Sequence, residues 1–254
     1  IRKSISREML RYSLPIMPND IIWWLMTYSA LFFIQHYLGL AENGIYAVLT
    51  KFTGIIYTLS IIFYQTWQQN AIEQYRSPDR DRFFSSVFNS YFYLLCGLLV
   101  FFPFGLRINY GWLVGESYRE SAQYLFFNSI FVATYAMGSF YELGYLCAKK
   151  TSRVLVSASM MVIIGLTSTW LLIQPMKIWG IILANILGYG SMLIFRAFDT
   201  RKYMRISFDM RNLRILFLVI VCGMVYMLWD AWWVDLTVLI LFAGAYVMLA
   251  PAEF

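Results

Sequence analysis

The stretch VLVSASMMVIIGLTSTWLLIQPMKIWGIILANILGYGSMLIF, residues 154–195, decides the class of fold. It contains two apolar runs, 154–173 and 178–195, joined by a short link in which Lys177 is the only charged residue. A helix needs about 20 mainly apolar residues to cross the hydrocarbon core of a bilayer, where water cannot satisfy an open backbone. The stretch therefore predicts two consecutive membrane-spanning helices.

Six further stretches repeat this pattern on both sides of the first pair. They are residues 21–40, 52–72, 83–106, 121–141, 213–229 and 231–250. The chain is 60% hydrophobic and only 13% charged, whereas a soluble domain has about 25% charged residues. Buried helices of a large soluble enzyme would need amphipathic partners with charged faces, and the sequence has none. We therefore predict an all-α integral membrane protein, a polytopic helical bundle with eight spans.

The connections between the predicted spans alternate in basic content. Most arginine and lysine residues fall on one side, in residues 2–11, 76–82, 149–153 and 196–214. The other side has only Lys51, Arg107, Arg119 and Lys177. Cytoplasmic loops of polytopic proteins carry an excess of basic residues. The first side is therefore expected to be cytoplasmic, with both ends of the chain on it.

The longest polar connection, residues 196–214, separates six predicted spans from the last two. We place a domain boundary there: residues 1–200 form a transmembrane lobe of six helices, and residues 201–254 form a basic cytoplasmic linker and a C-terminal helix pair. The basic run is expected to be a solvated face that is also attracted to anionic lipid. Because the chain opens with Ile1, Arg2 and Lys3 instead of Met, a preceding segment is expected.

Composition also argues against several classes of function. The net charge of +6 is spread between apolar runs instead of forming one patch, so no nucleic-acid partner is predicted. Cys96, Cys147 and Cys222 lie in or beside apolar runs, without the spacing of a disulfide framework or a metal site. The sequence contains one histidine, no Gly-rich phosphate loop and no nucleophile motif. We therefore predict no catalytic residues, no metal and no cofactor.

Polar and ionisable groups within spans are costly unless they face a cavity or a partner, so each is a candidate functional residue. In the first span such residues recur at steps of three or four and share one helical face with Leu31: Asp20, Trp24, Thr27 and Gln35. Asp20 follows Pro15 and Pro18, which remove backbone donors and tend to kink a helix. Asp20 either faces a ligand or ion in a cavity or caps the broken helix near the interface.

The second span has another polar face, made of Lys51, Thr58, Gln65 and Gln69. Gln and Thr can hydrogen-bond sugar hydroxyls, and a lysine can pair with a diphosphate. The face therefore predicts that this side of the second span lines a cavity. The alternative for Lys51 is snorkelling, in which its long side chain reaches the headgroups from within the helix.

Three further polar residues complete the candidate set: Asn89 on the third span, and Asn128 and Glu142 on the fourth. They either line the same cavity or form hydrogen bonds between helices, which stabilise membrane proteins modestly. In the sixth span Gly180, Ala184 and Gly188 are spaced by four and predict close packing with a neighbouring helix. These features fit a transporter, a channel or a membrane scaffold, and polar cavity residues alone do not identify a passenger.

Several short strings between residues 10 and 205 point to one family. They are LRYSLP (10–15), PN (18–19), YLGL (37–40), NGIY (43–46), WQ (67–68), AIE (71–73), FN (88–89), YLCAKKT (145–151) and DTRKY (199–203). In their order and spacing they resemble the polysaccharide-biosynthesis flippases of the multidrug/oligosaccharidyl-lipid/polysaccharide exporter superfamily, the Wzx-type O-antigen and capsule transporters.

The resemblance implies that residues 1–200 are the second six-helix lobe of a two-lobed flippase, with two extra C-terminal helices appended. In such proteins two bundles enclose a central cavity and rock to expose it to alternate sides of the membrane. The implied passenger is an oligosaccharide repeat unit on a polyprenyl diphosphate, moved for O-antigen, lipopolysaccharide or capsule synthesis. The implied location is the bacterial inner membrane, with membrane lipids and the polysaccharide polymerase machinery as partners.

The chain departs from the family at one pair of positions. The family commonly has an Asp-Arg pair shortly before the Leu-Gly string, where this sequence has Ala30 and Leu31. Diphosphate binding is therefore left to Lys51 or to the other lobe, and cation-coupled transport through Asp20 or Glu142 is a hypothesis. Two rival functions stay open: a drug/cation antiporter of the same superfamily, and a membrane glycan polymerase or ligase, which should carry a large external loop.

Overall fold

The computed structural model describes residues 17–249, with side chains throughout that range except at residues 17–20, 23 and 27. This part of the chain forms eight α-helices: α1 (Met17–Tyr37), α2 (Leu40–Gln74), α3 (Arg80–Leu113), α4 (Leu125–Cys147), α5 (Thr151–Met176), α6 (Ile178–Asp199), α7 (Met210–Leu228) and α8 (Trp232–Met248). Two short 3₁₀ helices, Glu116–Tyr124 and Thr200–Lys202, precede α4 and follow α6. Each predicted span overlaps one of these helices, and residues 17–249 contain no β-strand.

Within residues 17–249, five helices are long and apolar enough to cross a membrane: α2, α3, α5, α6 together with Thr200–Lys202, and α7. α1 and α4 have 21 and 23 residues, which is a sufficient length, but they are not among these five. α8 is shorter, with 17 residues. The chain is therefore an all-α, multi-pass membrane helical bundle, which confirms the predicted fold class.

α2 and α3 extend well beyond the predicted spans. They have 35 and 34 residues, which corresponds to about 50 Å of helix, against about 30 Å for the hydrocarbon core of a bilayer. α2 begins at Leu40, whereas the apolar pattern predicts a start at residue 52. The helix extends further because its backbone hydrogen bonds do not depend on apolar side chains, whereas the apolar pattern marks only the lipid-embedded part.

The connections α2–α3, α4–α5 and α6–α7 meet at one end of the bundle, here called the basic end (residues 75–82, 147–153 and 199–212). The Tyr75 hydroxyl donates to the carbonyl of Tyr203 at 3.4 Å, and the Arg153 guanidinium lies 3.5 Å from the Asp199 carboxylate. These contacts bring the three connections together. The basic residues of these three connections, which the sequence assigns to one side of the membrane, therefore do lie at one end of the bundle, and residues 2–11 lie outside the described residues.

α5 and α6 form the closest helix pair, joined by a tight turn at Lys177, whose φ of 51° is left-handed. A Cβ at Gly180 would lie 2.6 Å from the Leu172 carbonyl carbon, and one at Gly188 would lie 3.2 Å from the Gly165 Cα. The predicted small-residue stripe is thus in backbone contact with α5. Small residues permit this approach because a larger side chain would separate the helices.

The helix pair α7 and α8 packs against α3 and shares its apolar core. The ring of Tyr226 on α7 meets the ring of Phe104 on α3 edge-on, with 4.9 Å between the centroids, and also stacks on Phe126 of α4 at 5.6 Å. The two C-terminal helices are therefore tightly attached to the preceding helices. The domain boundary near residue 200 stays a prediction.

Candidate functional site

A cavity of about 190 Å³ lies between α1, α2, α4 and α6. Its polar wall consists of tyrosine, threonine and asparagine side chains from α2 and α6: Tyr46, Thr50, Thr53, Tyr57, Asn185 and Tyr189. Its apolar wall comes from α1 and α4: Met26, Ala30, Leu31, Phe131 and Val132. The cavity thus combines neutral hydrogen-bonding groups with aromatic and aliphatic surface.

Two hydrogen bonds between helices shape the polar wall. The Asn185 amide donates to the Tyr46 hydroxyl at 3.2 Å, and the Asn128 amide donates to the Thr53 hydroxyl at 2.9 Å. The Asn128 side chain is fully buried, and its Oδ1 has no hydrogen-bond partner among residues 17–249. Asn128 does not line the cavity, so this open acceptor lies behind the wall that Thr53 forms.

An aromatic row forms the side of the cavity nearest the basic end. Tyr135 of α4 lies between Tyr57 of α2 and Tyr189 of α6, with ring-centroid distances of 5.3 and 5.9 Å. Phe131 stacks on Tyr189 at 5.5 Å. These rings connect three helices through geometries that aromatic pairs prefer. They give the cavity a rigid aromatic face.

An open groove of about 440 Å³ runs along the outer surface of α2 beside the cavity. It is lined by Thr50, Lys51, Gly54, Ile55, Thr58 and Leu59, and it shares Thr50 and Gly54 with the cavity. Lys51 is exposed, and Thr58 donates its hydroxyl to the Gly54 carbonyl at 2.9 Å. Cavity and groove therefore adjoin across one turn of α2.

The predicted polar face of α2 is present and exposed along its whole length. Gln65 and Gln69 continue the face from Lys51 and Thr58 towards the basic end. The distance from Lys51 to Gln69 along the helix is about 27 Å, nearly the thickness of the hydrocarbon core. Gln65 and Gln69 do not line the cavity.

The predicted face of α1 lies at the edge of the cavity. Leu31 lines the cavity, whereas Trp24 and Gln35 are exposed on the outer surface. The side chains of Asp20 and Thr27 lie outside the described residues. Ala30 and Leu31, the two positions where the family has an Asp-Arg pair, both line the cavity, so α1 contributes no cation there.

Asn89 does not line this cavity. Its amide nitrogen donates to the carbonyls of Ser85 at 2.7 Å and Ser207 at 2.9 Å. Its amide oxygen accepts from the backbone N–H of Asp209 at 3.0 Å and from the Asn212 amide at 2.7 Å. Asn89 therefore joins α3 to the segment before α7 at the basic end, and its hydrogen-bonding capacity is used by the protein itself.

Glu142, which is partly exposed, forms an ion pair with a buried arginine that the sequence did not predict. The Arg196 guanidinium donates to the Glu142 carboxylate at 2.7 Å, to the Ser157 hydroxyl at 2.9 Å and to the Gly138 carbonyl at 3.0 Å. Arg196 is only 2% exposed, although its position favoured a solvated basic connection. A signal was present, because Gly188, Met192 and Arg196 are spaced by four and share the inward face of α6.

A second ion pair lies at the opposite end of the bundle. Arg107 of α3 donates through Nε to the Asp235 carboxylate of α8 at 2.8 Å, and through Nη1 to the Tyr226 carbonyl of α7 at 2.8 Å. The side chains of Arg107 and Asp235 are 5% and 2% exposed. The pair joins three helices. In the sequence, the pair was indicated only by the position of its members. Arg107 follows the predicted span 83–106, and Asp235 lies near the start of the predicted span 231–250.

Residues 17–249 contain no group of three or more His, Cys, Asp or Glu side chains that could hold a metal ion. Comparison of the chain with models of protein families, with curated proteins and with solved structures found no match. The class of protein therefore rests on the helices themselves: an all-α, multi-pass membrane protein with a mainly apolar cavity inside the bundle, edged by Tyr, Thr and Asn side chains.

Proposed function

We propose that the chain is one lobe of a flippase that moves polyprenyl-diphosphate-linked oligosaccharide repeat units across the bacterial inner membrane by alternating access. In this proposal the basic end faces the cytoplasm, and the lobe pairs with a second lobe to enclose the passenger. The polysaccharide polymerase machinery would receive the unit on the other side. The resemblance of the strings at residues 10–205 supports this choice of passenger.

The observation that carries the proposal is the junction between cavity and groove at Thr50 and Gly54. Sugar hydroxyls both donate and accept hydrogen bonds, and the Tyr, Thr and Asn side chains of the cavity can do the same. Ligand pockets usually measure about 300–1,000 Å³, so a cavity of about 190 Å³ holds only a small part of the passenger. The remainder of the head group must occupy the groove and the facing lobe.

Lys51 is the residue of this lobe proposed to contact the diphosphate. It is the only charged residue of the groove, it is exposed, and it lies within two turns of the cavity wall. A lysine is a compact cation that binds phosphate as a point charge. Since Ala30 and Leu31 supply no cation, the positive charge required for an anionic head comes from Lys51 or from the facing lobe.

The Arg196–Glu142 pair supports a rigid lobe, which alternating access requires. Arg196 of α6 is bonded to α4 through Glu142 and Gly138, and to α5 through Ser157. A buried polar network whose members are satisfied makes the packing around it rigid. In the proposal, α4, α5 and α6 therefore move together when the lobes rock.

The proposal is tested by complementation. The protein is expressed in a bacterium that lacks its own flippase, and lipid-linked repeat units are quantified on each face of the inner membrane. Restored export, with units appearing outside, is the expected result. If well-expressed protein leaves the units inside in several glycan hosts, the proposal is wrong, and efflux of cationic drugs becomes the next assay.

The role of Lys51 is tested in the same strain. Lys51→Gln removes a charge-assisted contact and should lower the flipping rate about tenfold or more. Lys177→Gln is the matched control, because Lys177 is an exposed lysine at the same end of the bundle but outside the groove. A Lys51→Gln variant that flips at the wild-type rate would assign this lysine to snorkelling instead.

A further inference from the structure

A second and larger cavity lies at the basic end, outside the proposed transport site. It is a cleft of about 880 Å³ between the start of α3, the segment before α7 and the end of α8. Its walls include Asp81, Arg82, Ser85, Arg205, Asp209 and Arg211. The proposed flippase activity leaves this cleft without a role.

The cleft presents three arginines to solvent. Arg82, Arg205 and Arg211 are exposed, and none of their guanidinium groups forms an ion pair within residues 17–249. The two carboxylates of the lining are already engaged. Asp81 accepts from the Arg80 guanidinium at 2.8 Å, and Asp209 accepts from the backbone N–H of Arg211 at 2.9 Å. In this part of the chain, three arginines without an ion-pair partner therefore face one carboxylate, Asp209, that has no cation bound to it, and this positive balance favours an anionic ligand.

The segment that carries two of these arginines is held in place by hydrogen bonds to α3. The backbone N–H of Ser207 donates to the Ser85 hydroxyl at 2.9 Å, and that of Asp209 donates to the Asn89 amide oxygen at 3.0 Å. The backbone N–H of Arg205 also donates to the Asp81 carboxylate at 3.3 Å. The cleft is thus formed before a ligand arrives, and little conformational entropy is lost on binding.

The cleft also has an apolar rim that continues along α7. Phe208 and Leu249 lie at its edge. From there Leu213, Phe217 and Ile220, which are 45%, 65% and 49% exposed, form a row at helical spacing on the surface of α7. A ligand with a charged head and acyl chains matches this arrangement, whereas a small soluble anion would leave the row unused.

We propose that the cleft binds the phosphate group of an anionic phospholipid, with Arg82, Arg205 and Arg211 around the phosphate and the acyl chains lying along α7. Arginine suits this role because its planar guanidinium donates two parallel hydrogen bonds to phosphate. Basic pockets between membrane helices bind anionic headgroups in this manner. The lipid would hold α3, α7 and α8 together at the basic end.

The test is native mass spectrometry of the detergent-solubilised full chain. Phosphatidylglycerol and phosphatidylcholine with identical acyl chains are titrated separately, and the retained lipid is counted. Phosphatidylglycerol should be retained preferentially. Replacing all three arginines by glutamine should weaken its binding about 100-fold, at about fivefold for each basic residue. Arg76→Gln, at an exposed arginine of the same end outside the cleft, should change binding less than twofold.

Two results would overturn the proposal. The first is unchanged retention of phosphatidylglycerol by the triple variant, provided that circular dichroism shows the variant to be folded. The second is complete displacement of the lipid by inorganic phosphate at millimolar concentration, which would identify a site for a free anion. Neither result bears on flipping, because Lys51 and the transport cavity lie outside the cleft.

Discussion

The buried pair of Arg107 and Asp235 allows a quantitative prediction about stability. Asp235→Asn keeps the shape of the side chain but removes its charge, so the Arg107 guanidinium stays buried without a counter-ion. Arg107 cannot move into water easily, because its side chain is 5% exposed and lies 3.8 Å from the centroid of the Tyr226 ring. Breaking a buried ion pair by removing one partner costs about 3–5 kcal/mol. We expect a loss of that size in the free energy of unfolding.

A double-mutant cycle separates the ion pair from simple loss of packing. The single variants of the cycle are Arg107→Leu and Asp235→Leu, and each should cost about 3–5 kcal/mol, because it leaves one charge buried and unpaired. The double variant Arg107→Leu/Asp235→Leu removes both charges and leaves only the Tyr226 carbonyl without its donor, at about 1–3 kcal/mol. The sum of the two single losses should therefore exceed the loss in the double variant by at least about 3 kcal/mol. This difference is the coupling energy of the pair.

The protein is unfolded reversibly in bicelles by increasing concentrations of dodecyl sulfate. Its helicity is followed by circular dichroism. Glu116→Gln is the control. Glu116 is 88% exposed and pairs with Arg119 at 3.6 Å, a surface pair worth about 0–1 kcal/mol. Additive losses in the cycle, or an Asp235→Asn loss no larger than that of the control, would refute the role given to the buried pair.

Two further predictions concern α4, α5 and α6. Glu142→Gln should lower the free energy of unfolding by about 1.5–3 kcal/mol, which is the value of a hydrogen bond to a charged group. The loss is limited to this one bond because Arg196 keeps its bonds to Ser157 and Gly138. An unchanged unfolding midpoint would contradict this prediction. Gly180→Ala should cost about 1–3 kcal/mol, since the new Cβ meets the Leu172 carbonyl. Gly190→Ala, where a Cβ meets nothing within 4 Å, should be neutral or slightly stabilising in the same measurement.

The candidate site was predictable only where helical periodicity decides the answer. Lys51 and Thr58 share a face of α2 because residues at such spacing must do so in any helix. Tyr57 and Tyr189 were not singled out, because 19% of the chain is aromatic and their spacing does not distinguish a cavity wall from a lipid-facing surface. Whether an aromatic ring faces a cavity depends on the rotation of each helix about its axis.

Asn89 and Asn128 illustrate the same limit. Both are single asparagines in apolar spans, and the sequence offers no reason to treat them differently. In the structure Asn128 lies behind the cavity wall, bonded to Thr53, whereas Asn89 joins α3 to a segment more than one hundred residues further along the chain. The neighbours of an amide group depend on packing between distant helices.

The sequence by itself determined that this is an all-α, multi-pass membrane protein, and it located the helices. It could do so because a bilayer demands about 20 apolar residues for each crossing, a condition that local hydropathy records. Only the tertiary structure decided which charges are paired. Arg107 and Asp235 are 128 residues apart, and Glu142 and Arg196 are 54 apart. These pairs form because α3, α7 and α8, and likewise α4, α5 and α6, pack side by side, and hydropathy does not encode the faces that meet.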